Sequence, residues 1–592
     1  MRELQYPFDG NWIIQNRRKL RKQLLNDETT RISKKIAILG GSTTHDIVKI
    51  LELFLLDAGI MPIFYESEYG RYYEDAVFGN PELDTFQPDL IFIHTSNRNI
   101  QQYPDLNQSK EDILSMLDQQ FERFAHMWTQ IRTRYNCTII QNNFDFPAYR
   151  LMGNRDATDI HGRVNYIQRF NQKFAAYADT HNDFYIHDIQ YLSAEYGLDK
   201  WQDPSFWYMY KYALCVPAIP LFAHSLCCMI KSVFGKNKKA LVLDLDNTLW
   251  GGVVGDDGVD GIEIGHETSL GQGYLEFQNY IRAHRDLGVI LNVSSKNDYD
   301  NALQGLNHPS GVLKPEDFTV IKANWEAKSE NIRSIAQELN VLPDSLVFVD
   351  DNPAEREIVR TFIPEVVAPE MNHVETYISV LDRSGFFEVT SFSEDDRKRN
   401  DMYRENFARN ASLANYTDYN AYLKSLEMKG TIRDFEPLYL PRITQLTNKS
   451  NQFNLTTKRY TESEMEQISK DDSYIRLYGR LEDRFGDNGI VSVVIGKKQE
   501  IVLHVELWLM SCRVLKRNME YAMLDTLVSK CRMHGIREIR GYYYPTAKNG
   551  MVRDLYAQFG FSLVHQGEDG SSVWKLDVLQ YTQHNDVIDV VE

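Results

Sequence analysis

Four short groups of polar residues occur in one stretch of the chain, each at the predicted end of a strand or start of a helix. They are Asp244-Leu-Asp246-Asn-Thr248, Ser295, Lys328 and the pair Asp350–Asp351. One carboxylate can attack phosphorus, and a second can donate and accept protons. A hydroxyl and an ammonium can offset the charge of a phosphoryl group, and clustered carboxylates around a phosphate require a cation. These residue types indicate phosphoryl-transfer chemistry.

Strands and helices alternate in this stretch and position the four groups. Short apolar runs, each ending in polar residues, predict strands in 240–249, 288–295 and 344–351. The helix that Lys328 opens shows apolar residues at helical spacing: Ile332, Ile335, Ala336 and Leu339. Since parallel strands present their carboxyl ends at one edge of a sheet, the polar groups are expected to meet there.

In this order, the four groups resemble the haloacid-dehalogenase (HAD) superfamily. The resemblance implies that Asp244 is the nucleophile that forms an aspartyl-phosphate. It implies that Asp246 protonates the leaving oxygen and later deprotonates the attacking water. Ser295 would donate a hydrogen bond to one phosphate oxygen, and Lys328 would place its charge beside another.

The same resemblance implies a Mg²⁺ site. Its ligands would be the carboxylates of Asp244 and Asp350 and the backbone carbonyl of Asp246, with Asp351 supporting them. Neither the segment before Ser295 nor the one between Ser295 and Lys328 has room for a large cap domain. We therefore expect an open site, suited to a bulky or protein-tethered substrate or covered by the flanking domains.

The run LDLDNTLWGGVVGDDGVDGIEIG (243–265) resembles the FkbH-like proteins, HAD subfamily IIIC, and further motifs extend this resemblance to about residue 565. It implies a phosphoglycerate-derived glyceryl unit that is dephosphorylated and held as a thioester on an acyl carrier protein. Those members resemble one another in having cysteine just before the SKND serine, where this chain has Ser294. Because a thiolate forms thioesters far better than a hydroxyl, this departure concerns the acyl half of the activity.

Residues 431–565 resemble a GNAT-type acetyltransferase domain. The resemblance implies that Arg513, Lys516 and Arg517 lie where such domains bind the pyrophosphate of acyl-CoA, or phosphopantetheine. Asn549 and Tyr556 would bind CoA and protonate the leaving thiol. The loop lacks the two glycines that let a backbone approach phosphate closely, so a structural module without acyl-CoA chemistry is the alternative.

The turn ILGGST near the N-terminus resembles the nucleophile block of SGNH hydrolases. The resemblance places Ser42 at the serine position and Gly70 and Asn97 at the oxyanion donors. The late D-x-x-H that would supply the base is replaced by Asp203-Pro-Ser-Phe206. We therefore predict a non-hydrolytic, SGNH-like domain that binds substrate or covers the HAD site, with His161, His187 or His224 as the alternative base.

The predicted fold class is α/β multidomain: two doubly wound parallel-sheet domains, SGNH-like and then HAD-type, followed by an α+β GNAT-like domain. The predicted boundaries are 1–233 for the SGNH-like domain, 234–390 for the HAD domain, 391–430 for a helical connector, 431–578 for the GNAT-like domain and 579–592 for an acidic tail. The charged run 393–410 of the connector predicts a solvated helix.

Composition narrows the function classes. With 592 residues, we expect about three to five domains. The formal charge of −18 argues against nucleic acid as a partner. Six cysteines are too few for a disulfide framework, the start has no signal peptide, and the apolar stretch 213–223 is too short for a membrane span. These features predict a soluble, multidomain protein of a reducing compartment, the cytoplasm. The phosphorylated small-molecule substrate is what the HAD resemblance implies.

Two functions remain open from the sequence. The first is a Mg²⁺-dependent HAD phosphatase or phosphotransferase acting on a phosphorylated acyl or glyceryl substrate. It would be coupled to acyl transfer in secondary-metabolite or surface-polysaccharide biosynthesis. The alternative is a scaffold with degenerate outer domains and weak catalysis that binds a carrier protein. The complete set of HAD residues favours the enzyme.

Overall fold

The computed structural model describes residues 1–27, 29–413, 416–450, 452–546 and 548–591. These residues contain three β-sheets and divide into two compact units. The N-terminal unit comprises Met1–Val233 with Thr461–Glu464, and the C-terminal unit comprises Phe234–Tyr460 and Met465–Glu592.

The N-terminal unit is built around a five-stranded parallel sheet of order β2-β1-β3-β4-β5. Its strands are β1 (Ile32–Gly40), β2 (Ile60–Glu66), β3 (Leu90–His94), β4 (Thr138–Asn142) and β5 (Phe184–His187). Its helices are α1 (Gly10–Asn26), α2 (His45–Asp57), α3 (Tyr72–Val77), α4 (Pro81–Phe86), α5 (Lys110–Tyr135), α6 (Arg163–Asp179), α7 (Ile189–Tyr196), α8 (Leu198–Trp201), α9 (Pro204–Tyr210) and α10 (Ile219–Val233). Strands β3 and β4 are buried along their whole length, as expected for a parallel sheet covered on both faces.

One helical segment within the described residues, Val216–Val233, has the length and composition of a membrane span, and 61% of it is buried inside the protein. The apolar stretch 213–223, which the sequence predicts to be too short for a span, contains Pro217 and Pro220. In the structure, both prolines stand in first helical turns, where the missing N–H costs no hydrogen bond. The apolar helix therefore continues to Val233.

The second sheet has four parallel strands in the order β8-β7-β6-β9. They are β6 (Ala240–Leu243), β7 (Ile290–Ser295), β8 (Val320–Ala323) and β9 (Leu346–Val349). The helices of this region are α11 (Val254–Asp257), α12 (Ser269–Asp286), α13 (Tyr299–Leu306), α14 (Lys328–Glu338), α15 (Pro353–Phe362) and α16 (Val374–Arg383). Alternate strand residues belong to two separate hydrophobic clusters, so the sheet is covered on both faces.

The third sheet has nine strands and is largely antiparallel. Its strands are β10 (Met428–Asp434), β11 (Phe453–Asn454), β12 (Tyr474–Asp483), β13 (Gly486–Gln499), β14 (Val502–Met510), β15 (Glu538–Tyr543), β16 (Ser562–Gln566), β17 (Ser572–Asp577) and β18 (Ile588–Val591). The remaining helices are α17 (Glu394–Arg397), α18 (Arg399–Leu413), α19 (Tyr419–Ser425), α20 (Leu440–Lys449), α21 (Glu462–Lys470), α22 (Met519–Met533) and α23 (Leu555–Gln558). The predicted α/β multidomain class, with two parallel sheets followed by an α+β region, is confirmed.

Two sequence expectations differ from the structure. Within the predicted acidic tail, β18 pairs in parallel with β10 at the edge of the third sheet. The helix predicted as solvated, α18, has buried polar side chains: the Asn400 amide donates to the carbonyls of Arg285 and Val289 at 2.9 and 3.1 Å. The charge pattern predicts an exposed helix, because the partners of these buried side chains lie far away in sequence and the pattern does not show them.

Candidate active site

Asp244 lies directly after β6, at the carboxyl edge of the second sheet. Its backbone N–H donates to the carbonyl of Val349 at 2.9 Å, which continues the pairing of β6 with β9. Lys328, the first residue of α14, places its Nζ 2.8 Å from Asp244 Oδ2 and 2.5 Å from Asp350 Oδ2. Burial alone would lower the pKa of Lys328, but these two carboxylates raise it above its usual range. The two carboxylates thus favour the charged form of Lys328.

Asp350 and Asp351 follow β9 on the other side of Asp244. One carboxylate oxygen from each of the three residues lies within 4.8 Å of the others. The Asn352 N–H donates to Asp350 Oδ1 at 2.8 Å. The Arg356 guanidinium donates to the backbone carbonyls of Asp350 and Asp351, both at 2.7 Å, and thereby fixes the turn that carries the two carboxylates.

This carboxylate group fits a divalent cation. Asp244 Oδ1 is buried and has no hydrogen-bond partner among the described residues, an arrangement that is costly unless an ion or ligand completes it. Burial, together with the neighbouring Asp244 carboxylate, raises the pKa of Asp350 to about 7. The pKa of Asp351 is raised for the same two reasons. Hard oxygen ligands of this kind suit Mg²⁺.

Asp246 is held by three donors. Trp250 Nε1 and the Val254 N–H donate to Asp246 Oδ1 at 2.9 and 3.1 Å, and Asn297 Nδ2 donates to Oδ2 at 3.0 Å. Burial raises the pKa of this carboxyl. Sequence reasoning missed Trp250 and Asn297. The signal was present for Asn297, which follows Ser295 by two residues in the SKND motif.

Asn247, which lies between Asp246 and Thr248, has an unusual backbone conformation. Asn247 adopts a left-handed conformation with φ 55°, which asparagine tolerates better than most residues. Its carbonyl accepts hydrogen bonds from the hydroxyls of Tyr274 and Tyr377, both at 3.2 Å. These contacts, from α12 and α16, hold the turn that aims Asp246.

Ser295 ends β7 and is buried, and its carbonyl accepts the Asn324 N–H at 3.1 Å. β7 is the neighbour of β6, so Ser295 lies at the same edge as Asp244. The adjacent Ser294 is fully buried, and its Oγ has no partner among the described residues. Thr248 supports the turn through its Oγ1, which accepts the Asp351 N–H at 3.2 Å.

The two arginines expected to bind CoA have internal partners. Arg517 is buried and contacts the Asp483 carboxylate at 3.2 Å and the Asn406 amide oxygen at 2.6 Å. The Nε of Arg513, also buried, donates to Ser511 Oγ at 3.2 Å. The structure therefore does not present these guanidiniums as a phosphate-binding pair. The sequence showed their charge but not their burial.

The other three residues of the expected CoA site, Lys516, Asn549 and Tyr556, differ in burial. The side chain of Lys516 is exposed, and its carbonyl accepts the Tyr419 hydroxyl at 2.5 Å. Asn549 is fully buried; its amide donates to the carbonyls of Asn454 and Tyr544, both at 2.9 Å. Tyr556 is also fully buried, and its hydroxyl lacks a hydrogen-bond partner among the described residues. Of the five residues, Lys516 alone has an exposed side chain.

In the N-terminal unit, the expected oxyanion donors are engaged in the fold. The Gly70 N–H donates to the Gly40 carbonyl at 3.2 Å, and the Asn97 N–H donates to Asp145 Oδ1 at 2.9 Å. Ser42 is buried, and its Oγ has no hydrogen-bond partner in the described part of the chain. The structure therefore does not join these three residues into one hydrogen-bonded group.

The three histidines considered as a base for Ser42 bond elsewhere. His161 Nδ1 lies 2.8 Å from Asp159 Oδ1, and His187 Nδ1 lies 2.9 Å from the Asn142 side-chain oxygen. The ring of His224 packs against Phe8 and Phe54. Since Ser42 Oγ is unpartnered within the described residues, none of these rings activates it in this structure.

Residues 35–231 match the model of the family described as FkbH, N-terminal domain. The match lies within the N-terminal unit. The chain also resembles a crystal structure of the N-terminal part of a Bacteroides fragilis protein that contains a phosphatase domain and is complexed with Mg. The identity is 28% and the TM-score 0.58, and the alignment covers 64% of this chain and 99% of that chain. No curated protein matches the chain.

Solved acetyltransferases align with about a quarter of the chain. The ribosomal-protein-S18-alanine N-acetyltransferase from Escherichia coli shares 13% identity over 26% of this chain and 99% of its own, with a TM-score of 0.21. The GNAT domain of S. lividans PAT shares 14% identity over 25% of this chain and 89% of its own, with the same TM-score. Alignments at this level define neither the fold nor the activity of the third sheet.

Proposed function

We propose that this chain is a Mg²⁺-dependent phosphatase or phosphotransferase that uses Asp244 as its nucleophile. The observation that carries the proposal is the position of Lys328 between Asp244 and Asp350, while Asp244 Oδ1 is buried without a partner. A phosphatase-domain structure complexed with Mg, similar at 28% identity, supports the same reading.

The proposed reaction has two displacements at phosphorus. In the first, a carboxylate oxygen of Asp244 bonds to phosphorus, the ester P–O bond breaks, and Asp246 gives its proton to the leaving oxygen. In the second, Asp246 accepts a proton from water, the water oxygen bonds to phosphorus, and the bond to Asp244 breaks. Phosphate leaves, Asp244 is restored as a carboxylate and Asp246 as the protonated acid. A phosphotransferase would use an acceptor hydroxyl in place of water.

The remaining residues orient the nucleophile and offset the charge of the phosphoryl group. Lys328 orients Asp244 through Oδ2 and offsets charge on the transferring phosphoryl group. Ser295 would donate its hydroxyl to a phosphate oxygen. Asp244, Asp350 and the backbone carbonyl of Asp246 would hold Mg²⁺, with Asp351 supporting them; the bound ion supplies positive charge that offsets the anionic oxygens.

The finer parts of the proposal concern the substrate and its setting. We propose a phosphorylated acyl or glyceryl substrate, carried by an acyl carrier protein, with acyl transfer from acyl-CoA or phosphopantetheine in the third domain. The motif resemblance of 243–265 and the match of residues 35–231 to an FkbH domain support this. All six cysteines are free, which favours a reducing compartment such as the cytoplasm.

The test measures phosphate release from a panel of phosphorylated metabolites, including carrier-bound phosphoglycerate, with and without Mg²⁺. Asp244→Asn should release phosphate at least about 10³-fold more slowly than wild type, because the amide cannot form the phosphoenzyme. Asp256→Asn, which changes an exposed carboxylate of α11, is the matched control and should behave as wild type. Equal release by wild type and Asp244→Asn, or release that chelation leaves unchanged, would overturn the proposal.

A further inference from the structure

Trp325 is a large apolar side chain at the catalytic edge of the second sheet, and 71% of its surface is exposed. It lies in the segment between β8 and α14, three residues before Lys328. A tryptophan this exposed is uncommon, because leaving the large apolar surface of an indole in contact with water costs more free energy than it does for most side chains. An exposed indole near the proposed active site is available to contact a bound ligand.

The indole is fixed rather than free. Trp325 Nε1 donates to Asp298 Oδ1 at 2.9 Å. The preceding residue, Asn324, donates its N–H to the Ser295 carbonyl at 3.1 Å and exchanges side-chain hydrogen bonds with Asn331 at 2.9 and 3.2 Å. A side chain held in this way loses little conformational entropy when a ligand contacts it.

The hydrogen-bond partner of the indole, Asp298, is adjacent in sequence to a residue that contacts Asp246, the proposed general acid. Asp298 follows Asn297, whose amide donates to Asp246 Oδ2 at 3.0 Å. In the strand order β8-β7-β6-β9, the segments after β8 and β7 leave the sheet on one side of Asp244. The segment after β7 contacts both residues: its Asp298 accepts the Trp325 indole N–H, and its Asn297 donates to Asp246. The leaving group of a phosphate ester must point toward Asp246, because that residue gives it a proton.

We propose that Trp325 is a specificity-determining residue that packs its exposed indole against the organic group of the substrate, beside the phosphate. The inference rests on the proposed phosphatase function and deepens it. The substrates favoured would be phosphate monoesters with an apolar face close to the ester oxygen. Such a face can come from a ring, as in a hexose or nucleoside, or from an extended chain, as in a pantetheine arm.

The test compares selectivity rather than rate alone. For each enzyme, kcat/KM is measured with acetyl phosphate as the small reference and with a hexose 6-phosphate, a nucleoside monophosphate and phosphopantetheine as extended substrates. In Trp325→Ala, the ratio of extended to reference kcat/KM should fall by about tenfold or more, mainly through KM, for whichever source is used. Trp325→Phe should restore part of the ratio, since it keeps an aromatic face.

Two further variants separate a local effect from a general one. Asp298→Ala removes the tether but keeps the indole, and the Asp298 side chain makes no capping bond to α13; the ratio should fall by less than in Trp325→Ala. Phe362→Ala removes an aromatic side chain that is 59% exposed at the last residue of α15, and the ratio should stay at the wild-type value.

The outcomes distinguish the two proposals. If no substrate shows release that depends on Asp244, the phosphatase proposal itself fails. If release depends on Asp244 but Trp325→Ala keeps every ratio of the wild type, the role of Trp325 alone is overturned. An unfolded Trp325→Ala protein, seen by circular dichroism, leaves the decision to Asp298→Ala and Trp325→Phe: unchanged ratios in both would overturn it.

Discussion

Asp246 shows how its neighbours can prepare a single carboxyl for proton transfer. Three donors hold its oxygens, and burial raises its pKa, so it retains a proton at a higher pH than an exposed aspartate does. Asn247, with φ 55° and two tyrosine hydroxyls on its carbonyl, fixes the backbone beside it. A general acid needs both properties, a proton at working pH and a fixed direction.

We expect Asp246→Asn to slow phosphate release in a way that depends on the leaving group. For alkyl phosphates, whose leaving oxygen needs a proton, the loss should be about 10²- to 10⁴-fold. For acetyl phosphate, which releases a stable carboxylate, it should be much smaller. Rates for both substrates in wild type, Asp246→Asn and the exposed-site control Asp260→Asn measure this difference. Equal losses for the two leaving groups would exclude Asp246 as the proton donor.

At the residue scale, the sequence was informative where chemistry demands particular side chains at strand ends. Asp244, Lys328, Asp350 and Asp351 were expected at one edge, and the structure brings them within hydrogen-bonding or ligand distance there. The sequence does not predict the role of Trp250, because its hydrogen bond to Asp246 depends on the path of a loop. Sequence alone does not specify such a path.

At the scale of elements, α18 joins two sheets that the sequence treated as separate domains. Asn400 on this helix bonds to carbonyls near the start of β7. Arg409, nine residues on, pairs through two nitrogens with the Asp483 carboxylate at the end of β12, each at 2.8 Å. Arg517 reaches the same carboxylate at 3.2 Å, and burial lowers its pKa to about 10. Asp483 thus offsets two buried guanidiniums.

Asp483→Asn should strongly destabilise the C-terminal unit. Both arginines would then face a neutral amide in a buried site. Removing one partner of a buried ion pair lowers the free energy of unfolding by about 3–5 kcal/mol. The matched control is Asp434→Asn, whose partner is Lys530 at 2.6 Å and whose side chain is 56% exposed; it should cost less than about 1 kcal/mol. Urea unfolding followed by circular dichroism measures both. Equal shifts of the midpoint would contradict the importance of this buried group.

The prediction of elements succeeded where hydrophobic spacing governs them. Apolar runs located β6, β7 and β9, and the spacing of Ile332, Ile335 and Ala336 located α14. The helix α18 is where the sequence predicts one, but its burial differs from the expectation, because a polar residue that is buried with its partner looks like a solvated one in sequence. The same rule failed at β18, whose four residues are too few to show a pattern.

At the scale of the whole molecule, the proposed catalytic residues belong to one unit. Asp244, Asp246, Ser295, Lys328, Asp350 and Asp351 all lie within Phe234–Tyr460 of the C-terminal unit. The five-stranded sheet of the N-terminal unit is complete in itself. The chemistry proposed above therefore requires no side chain from the first 233 residues.

A chain that begins at Phe234 should retain Mg²⁺-dependent phosphate release from acetyl phosphate, within about a few-fold of the full chain. The expectation follows because the carboxylates, Lys328 and the turns that hold them are intact in it. Phosphate release by this chain and by its Asp244→Asn variant provides the measurement. A folded but inactive truncated chain would show that the N-terminal unit contributes to catalysis itself.

The position of Lys328 between carboxylates has a consequence for kinetics. When Asp244, Asp350 and Asp351 are ionised, the single ammonium leaves this group with an excess of negative charge. A doubly charged phosphate ester approaching such a group is repelled until that excess is removed. Binding should therefore follow a compulsory order of addition, with the divalent ion first and the ester second.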